Sequence, residues 1–225
     1  MRQLLSEAAR EEVTQLCGSY CAKRNGFGAQ HWPFGHGSAY APLTMRADAA
    51  RNLDAVLQTG ARLLARDPGT SIAAIAAAAG VDRRTVYRRF DSREALMAAV
   101  YVAKLDACDE VFAQARLAEA PVPVALHRYV EGTVAVSRRW PVDLGRATDE
   151  TAAARLRRLL ERLDAFMARA AREGFVRPGL PDGWARSMLV HLTNVASHDM
   201  PELTPAQGAD LVSQSLFQGV GAGPR

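Results

Sequence analysis

Five arginines, Arg83, Arg84, Arg88, Arg89 and Arg93, fall within eleven positions that hold one acid, Asp91. Thr85 and Tyr87 are set among them. A guanidinium offers a planar fork of donors to guanine or phosphate, and threonine or an aromatic ring meets a thymine methyl. The chemistry this run points to is recognition of a polyanion, not bond making. A second constellation, Cys17-x3-Cys21 followed by His31-x4-His36, imitates zinc-ligand spacing. The nine residues between the two pairs make a short link for a finger, and Asn25-Gly26-Phe27-Gly28 reads as loop, so no metal site is expected. His127, His191 and His198 stand without carboxylate or cysteine partners at ligand spacing. There is no glycine-rich phosphate loop, no His-Glu-x-x-His and no nucleophile elbow, so neither an enzyme nor a cofactor is expected.

Helices must position the arginines. Over 46–66, Leu53, Val56, Leu57, Gly60, Leu63 and Leu64 recur at three- and four-residue steps on one face. Asp67-Pro68-Gly69 stops that helix. Thr70 or Ser71 caps a short helix, Ile72 to Ala79, and Gly80 supplies a left-handed turn. Asp82 caps a second short helix, Arg83 to Phe90, which carries the cationic run. Asp91 and Glu94 have capping-box spacing and open a long helix through about Arg116.

Further helices follow Pro121 and Pro123, with a break at Trp140-Pro141. Thr151 to Arg172 carries a stripe of Leu156, Leu159, Leu160, Leu163, Phe166, Met167 and Ala170. Asp182 to about His198 is expected as one helix, and Thr204-Pro205 opens the last, with Leu211, Val212, Leu216 and Val220 along it. No stretch alternates as a strand does. The expected class is all-α, two short helices at a glycine turn making a helix-turn-helix within an N-terminal three-helix unit.

In order, the chain supplies Thr70-Ser71-Ile72, Ile75-Ala76, Ala79-Gly80-Val81, Thr85-Val86-Tyr87-Arg88-Arg89-Phe90 and Ser92-Arg93-Glu94-Ala95-Leu96. This string resembles the DNA-binding pattern of the TetR family of bacterial transcriptional regulators over about 50 residues. The link Arg66-Asp67-Pro68-Gly69 is shorter than the family's and lacks its common aromatic, and Gly60 stands where the family often has alanine.

The resemblance implies that Arg83, Arg84, Thr85 and Tyr87 read bases and phosphates. It implies phosphate contacts for Thr70, Arg89 and Arg93, and for Arg46 at the head of the first helix. It divides the chain into a DNA-binding domain, 45–92, and an effector-binding and dimerisation domain, 93–225. It implies a homodimer on a double-stranded, palindromic DNA operator, because two recognition helices held ~34–36 Å apart read successive major grooves. It further implies a small-molecule effector whose pocket would draw on Tyr101, Cys108, Phe112, His127, Trp140, Met167, Met188, His191 and Asn194, with His191 and Asn194 as the polar pair. Binding would release a repressor from its operator by reciprocal coupling. The rival reading is a helical protein-interaction or ligand-binding module without operator binding, which leaves the arginine-rich helix without a use.

Residues 1–44 lie outside the family pattern. Met45-Arg46-Ala47-Asp48 reads as a natural beginning, and the alternative is a loose arm with one helix, Leu4 to Leu16. Charge is unevenly spread: residues 45–104 hold ten basic and six acidic groups, and 105–225 hold fourteen and fifteen. That asymmetry fits a polyanion-binding part joined to a part with another task. Hydrophobic residues at 48% and three cysteines fit a globular chain in a reducing compartment, and no apolar run approaches a membrane span. A soluble cytoplasmic protein with no membrane partner is expected.

Overall fold

The structure is a computed structural model that describes residues 43–218 except 148 and 178, with side chains from 50 onward. Cys17, Cys21, His31, His36, the Leu4–Leu16 helix and Val220 lie outside the described residues. Those that are described fall in one compact unit. Among them are eight α-helices and no strand: α1 Leu43–Arg66, α2 Ile72–Ala78, α3 Arg83–Arg89, α4 Arg93–Ala115, α5 Val122–Arg139, α6 Glu150–Arg172, α7 Trp184–Asn194 and α8 Pro205–Gln218. The chain is all-α, as its periodicity predicts.

α4 is the spine. Its Leu96 packs with Val56, Leu64, Ile72, Ile75, Ala76, Val86 and Phe90 in a core shared with α1, α2 and α3. One turn on, Val100 joins Ala61, Trp140 and Val142. From Leu105 to Ala115 the same helix enters the main core, with Leu126, Val130 and Val134 of α5, Leu159, Leu163 and Phe166 of α6, Leu189 of α7 and Val212 of α8. One rigid element thus spans the helix-turn-helix and the helical body.

Gly60 sits inside α1 where this spine crosses it. A methyl group there would stand 3.7 Å from Ile75 Cγ2 and Val100 Cγ2, ordinary van der Waals contact. Glycine costs a helix interior about 1 kcal/mol relative to alanine. Gly60→Ala is therefore expected to stabilise the fold by ~1 kcal/mol and raise Tm by ~2–4 °C, read by calorimetry.

Two helix starts and one helix end depart from the sequence expectation. Ser92, not Asp91, caps α4, its hydroxyl accepting from the Ala95 N–H at 3.1 Å. Hydrogen bonds from the Glu94 backbone N–H and from Ser92 hold the Glu94 carboxyl below its usual range. α7 starts at Trp184 rather than Asp182, because Gly183 takes a left-handed φ of +72° just before it. That helix does not run regularly to His198. After Asn194 the backbone widens into a π-turn over Val195–Asp199, closed by Met200 N–H to Val195 O at 3.2 Å. Arg138 of α5 clamps this turn, its guanidinium donating to the carbonyls of Ala196, Ser197, Met200 and Leu203 at 2.6–3.2 Å. Thr204 and Gln207 then open α8 reciprocally, each backbone N–H donating to the other's side chain.

Candidate nucleic-acid interface

α2 and α3 are too short to hold themselves, so their ends carry the geometry. Ser71 Oγ accepts from the Ala74 N–H at 3.2 Å. At the other end of α2, Val81 N–H reaches Ala76 O at 3.0 Å and Gly80 N–H reaches Ala77 O at 3.1 Å. This paired closure requires a left-handed residue, and Gly80 has φ +67°. Asp82 Oδ1 then caps α3, accepting from Arg84 and Thr85 N–H at 2.9 and 3.3 Å. Within α3 only Val86 is buried, and Phe90, four residues on, is buried just past its end. Two apolar pegs on one side therefore hold the helix, and the remaining side chains face outward.

Arg83, Arg84, Thr85, Tyr87, Arg88 and Arg89 are all exposed. The Arg83 guanidinium lies 5.0 Å from the centroid of the Tyr87 ring, and Tyr87 is 39% exposed. The stack orders both side chains before any partner arrives, at an energy of ~0.5–1 kcal/mol. Arg88, part of the arginine run but not among the residues assigned a DNA contact from the sequence, stands on the same outward surface. With Thr85 and Arg89 it borders a groove of about 720 Å³ between α3 and the Ala50–Val56 stretch of α1.

Around this helix the other sequence candidates take different positions. Thr70 is half-buried, and its hydroxyl donates to Asp67 O at 2.8 Å. Arg93 is half-buried at the start of α4; its Nη1 lies 3.7 Å from Glu94 Oε1 and its Nε is buried without a hydrogen-bond partner. Arg46 is in the first turn of α1, and its side chain lies outside those described.

The helix-turn-helix is tied to the body through the end of α5. Arg139 Nη2 lies 3.1 Å from both carboxylate oxygens of Asp54 on α1, and Gln58 donates to that carboxylate at 2.6 Å. Beside it Trp140 is buried against Ala61 and Val100. Lys104 of α4, 8% exposed, donates to Val142 O at 2.6 Å, and burial pushes its ammonium below the usual lysine range. A buried lysine in an apolar stripe gave no sequence signal, because its carbonyl partner lies 38 residues away.

The nine residues named for an effector pocket are spread over several parts of the helical body. Phe112 is buried edge-on to Tyr129, ring centroids 5.2 Å apart, and Met167 is buried in the same core. His127 is buried with its Nε2 3.1 Å from Asp210 Oδ1 of α8. Trp140 belongs to the separate cluster at the α1–α4 crossing. Tyr101 and Cys108 are half-buried, and burial raises the pKa of both. His191 and Asn194 are exposed on α7, on the side away from the buried Leu189 and Thr193. Met188 lines an open cleft, beside Trp184. Among the described residues no group of three or more His, Cys, Asp or Glu is placed to hold a metal ion.

Comparison with known proteins agrees with this geometry. Residues 56–100 match the family model described as "Bacterial regulatory proteins, tetR family". Among solved structures, the chain is similar to the TetR-like transcriptional regulator LfrR from Mycobacterium smegmatis in complex with proflavine. The identity is 26%, over 78% of this chain and 99% of that one, with a TM-score of 0.62. The TetR family transcriptional regulator PfmR from Thermus thermophilus shares the fold at 19% identity, 74% and 99% coverage and a TM-score of 0.61. FadR from Bacillus subtilis, in complex with stearoyl-CoA, shares it at 14% identity, 74% and 98% coverage and a TM-score of 0.55. No curated protein matches the chain significantly.

Proposed function

We propose that this chain, a TetR-family transcriptional regulator in its helix-turn-helix and its all-helical fold, is a homodimeric cytoplasmic repressor released from a palindromic operator by a small molecule. The observation that carries the reading is α3, seven residues with one buried side chain and six exposed ones, four of them arginine. In this reading residues 45–92 bind DNA and 93–225 bind the effector and the second copy. Arg83, Arg84, Thr85 and Tyr87 contact bases, and Arg46, Thr70, Arg89 and Arg93 contact phosphates. The place of Arg93 as the first residue of α4, where a helix start leaves backbone N–H groups free for an anion, supports that assignment. Pairing through α7 and α8 is supported by exposed Trp184, Val195 and Leu211, apolar side chains that a second copy would cover. No described helix is long and apolar enough to cross a membrane. The ligands in the relatives' structures, proflavine with LfrR and stearoyl-CoA with FadR, support small-molecule control.

Arg84→Ala and Tyr87→Ala are each expected to weaken binding to DNA from upstream of the gene by ~1–3 kcal/mol, about 5- to 150-fold. Because both side chains are exposed, thermal stability is expected to hold within ~0.5 kcal/mol. Operator affinity equal to wild type in both variants would refute the assignment.

A further inference from the structure

We infer that Arg83 and Tyr87 act as one unit that reads a guanine beside a thymine in each half of the operator. The inference rests on the DNA-binding reading above and names the sequence that α3 selects. Four guanidinium–ring stacks occur among the described residues. In three of them the ring belongs to Trp140, Phe112 or Phe166, all buried, so those stacks serve the fold. The fourth joins Arg83 to Tyr87, and there both side chains are exposed. Neither of them lines the groove between α3 and α1, which Thr85, Arg88 and Arg89 border. The pair therefore stands on the other flank of α3, ordered yet turned toward solvent.

Order suits a side chain to reading bases rather than following the phosphate backbone. A free arginine loses rotamer freedom when it is fixed against a base edge. Arg83 lies one turn before Tyr87 on the same side of the helix, and the ring already restrains its guanidinium, 5.0 Å from the centroid. A fork held in one plane matches guanine, whose O6 and N7 are two acceptors side by side. Adenine shows N7 beside an amino group, which sets a donor against a donor.

The ring sets the neighbouring base. Successive base pairs are about 3.4 Å apart along the duplex. A ring stacked on a guanidinium that lies level with one base pair comes level with the next. The apolar group that a base pair shows in the major groove is the thymine C5 methyl, and that is what a tyrosine ring meets best there.

The test begins by letting the full chain select duplexes from a random library. The enriched palindrome is expected to carry a guanine beside a thymine in each half-site. On that duplex, adenine in place of the guanine is expected to weaken wild-type binding about 5- to 150-fold. Deoxyuridine in place of the thymidine removes only the methyl and is expected to weaken it about fourfold. Arg83→Ala is expected to lose the preference for guanine over adenine, whatever its overall affinity. Tyr87→Phe keeps the ring and is expected to keep both preferences. Tyr87→Ala is expected to lose its response to deoxyuridine and about two- to fivefold of the guanine preference. Both side chains are exposed, so all three variants are expected to melt as wild type does. The inference is overturned if Arg83→Ala keeps the guanine preference, or if deoxyuridine leaves wild type unaffected. It is equally overturned if Tyr87→Phe binds as weakly as Tyr87→Ala, because the hydroxyl then makes the contact. Enrichment of a palindrome without this pair of bases overturns it and leaves the repressor reading standing; enrichment of no duplex overturns both.

Discussion

Arg138→Met is expected to cost about 2–5 kcal/mol of folding stability. One guanidinium serves four carbonyls, and two of them, on Ala196 and Ser197, belong to residues only 4% exposed. Methionine fills similar volume but donates nothing. Each buried carbonyl left without a donor costs ~1–3 kcal/mol, and hydrogen bonds from a charged donor are the stronger kind. Arg138→Lys is expected to recover only part of the loss, since a compact ammonium cannot span four acceptors arranged around a planar fork. Equilibrium denaturation reads the loss, and wild-type stability of the methionine variant would show that the π-turn stands without its clamp. The same variant should perturb α7 and α8 more than the helix-turn-helix, because the clamped carbonyls lie between those two helices.

Ile75→Ala is the second large expectation, at ~2–5 kcal/mol. Ile75 is fully buried and packs with Val56, Leu64, Ala76, Val86, Phe90 and Leu96 in a core of only eight buried residues. A cavity there has few neighbours able to close it. Since Val86 and Phe90 are the only pegs holding α3, the loss falls on the arginine-bearing helix first. Operator affinity is expected to fall more than a single base contact would explain, together with a Tm lower by ~5–15 °C. Melting and operator binding unchanged from wild type would contradict the packing described for α3.

Local rules made the helix-turn-helix legible. Ser71, Gly80 and Asp82 act through bonds to backbone groups within five residues, so their meaning survives in the sequence. The π-turn was not legible, because the arginine that clamps it lies on α5, 58 residues before Ala196. Nor could spacing place Asp91 and Ser92 correctly: both are good caps one residue apart, and only the observed Ala95 bond separates them. The pocket candidates were hard to choose for a different reason. An apolar stripe on a helix has the same pattern whether it lines a cavity or fills a core, and Phe112, Met167 and Trp140 are buried among other apolar side chains. His191 and Asn194 share an outward face of α7, one turn apart, a spacing that tells which residues share a face but not which way it points.

The claim on which the account stands is that two copies present the α3 arginines to one DNA duplex. It is tested most directly by titrating the full chain against DNA from upstream of its gene over a range of salt concentrations. If each copy neutralises about four phosphates, log affinity falls against log salt with a slope near −7. A slope near zero, with equal affinity for a scrambled duplex, would contradict it.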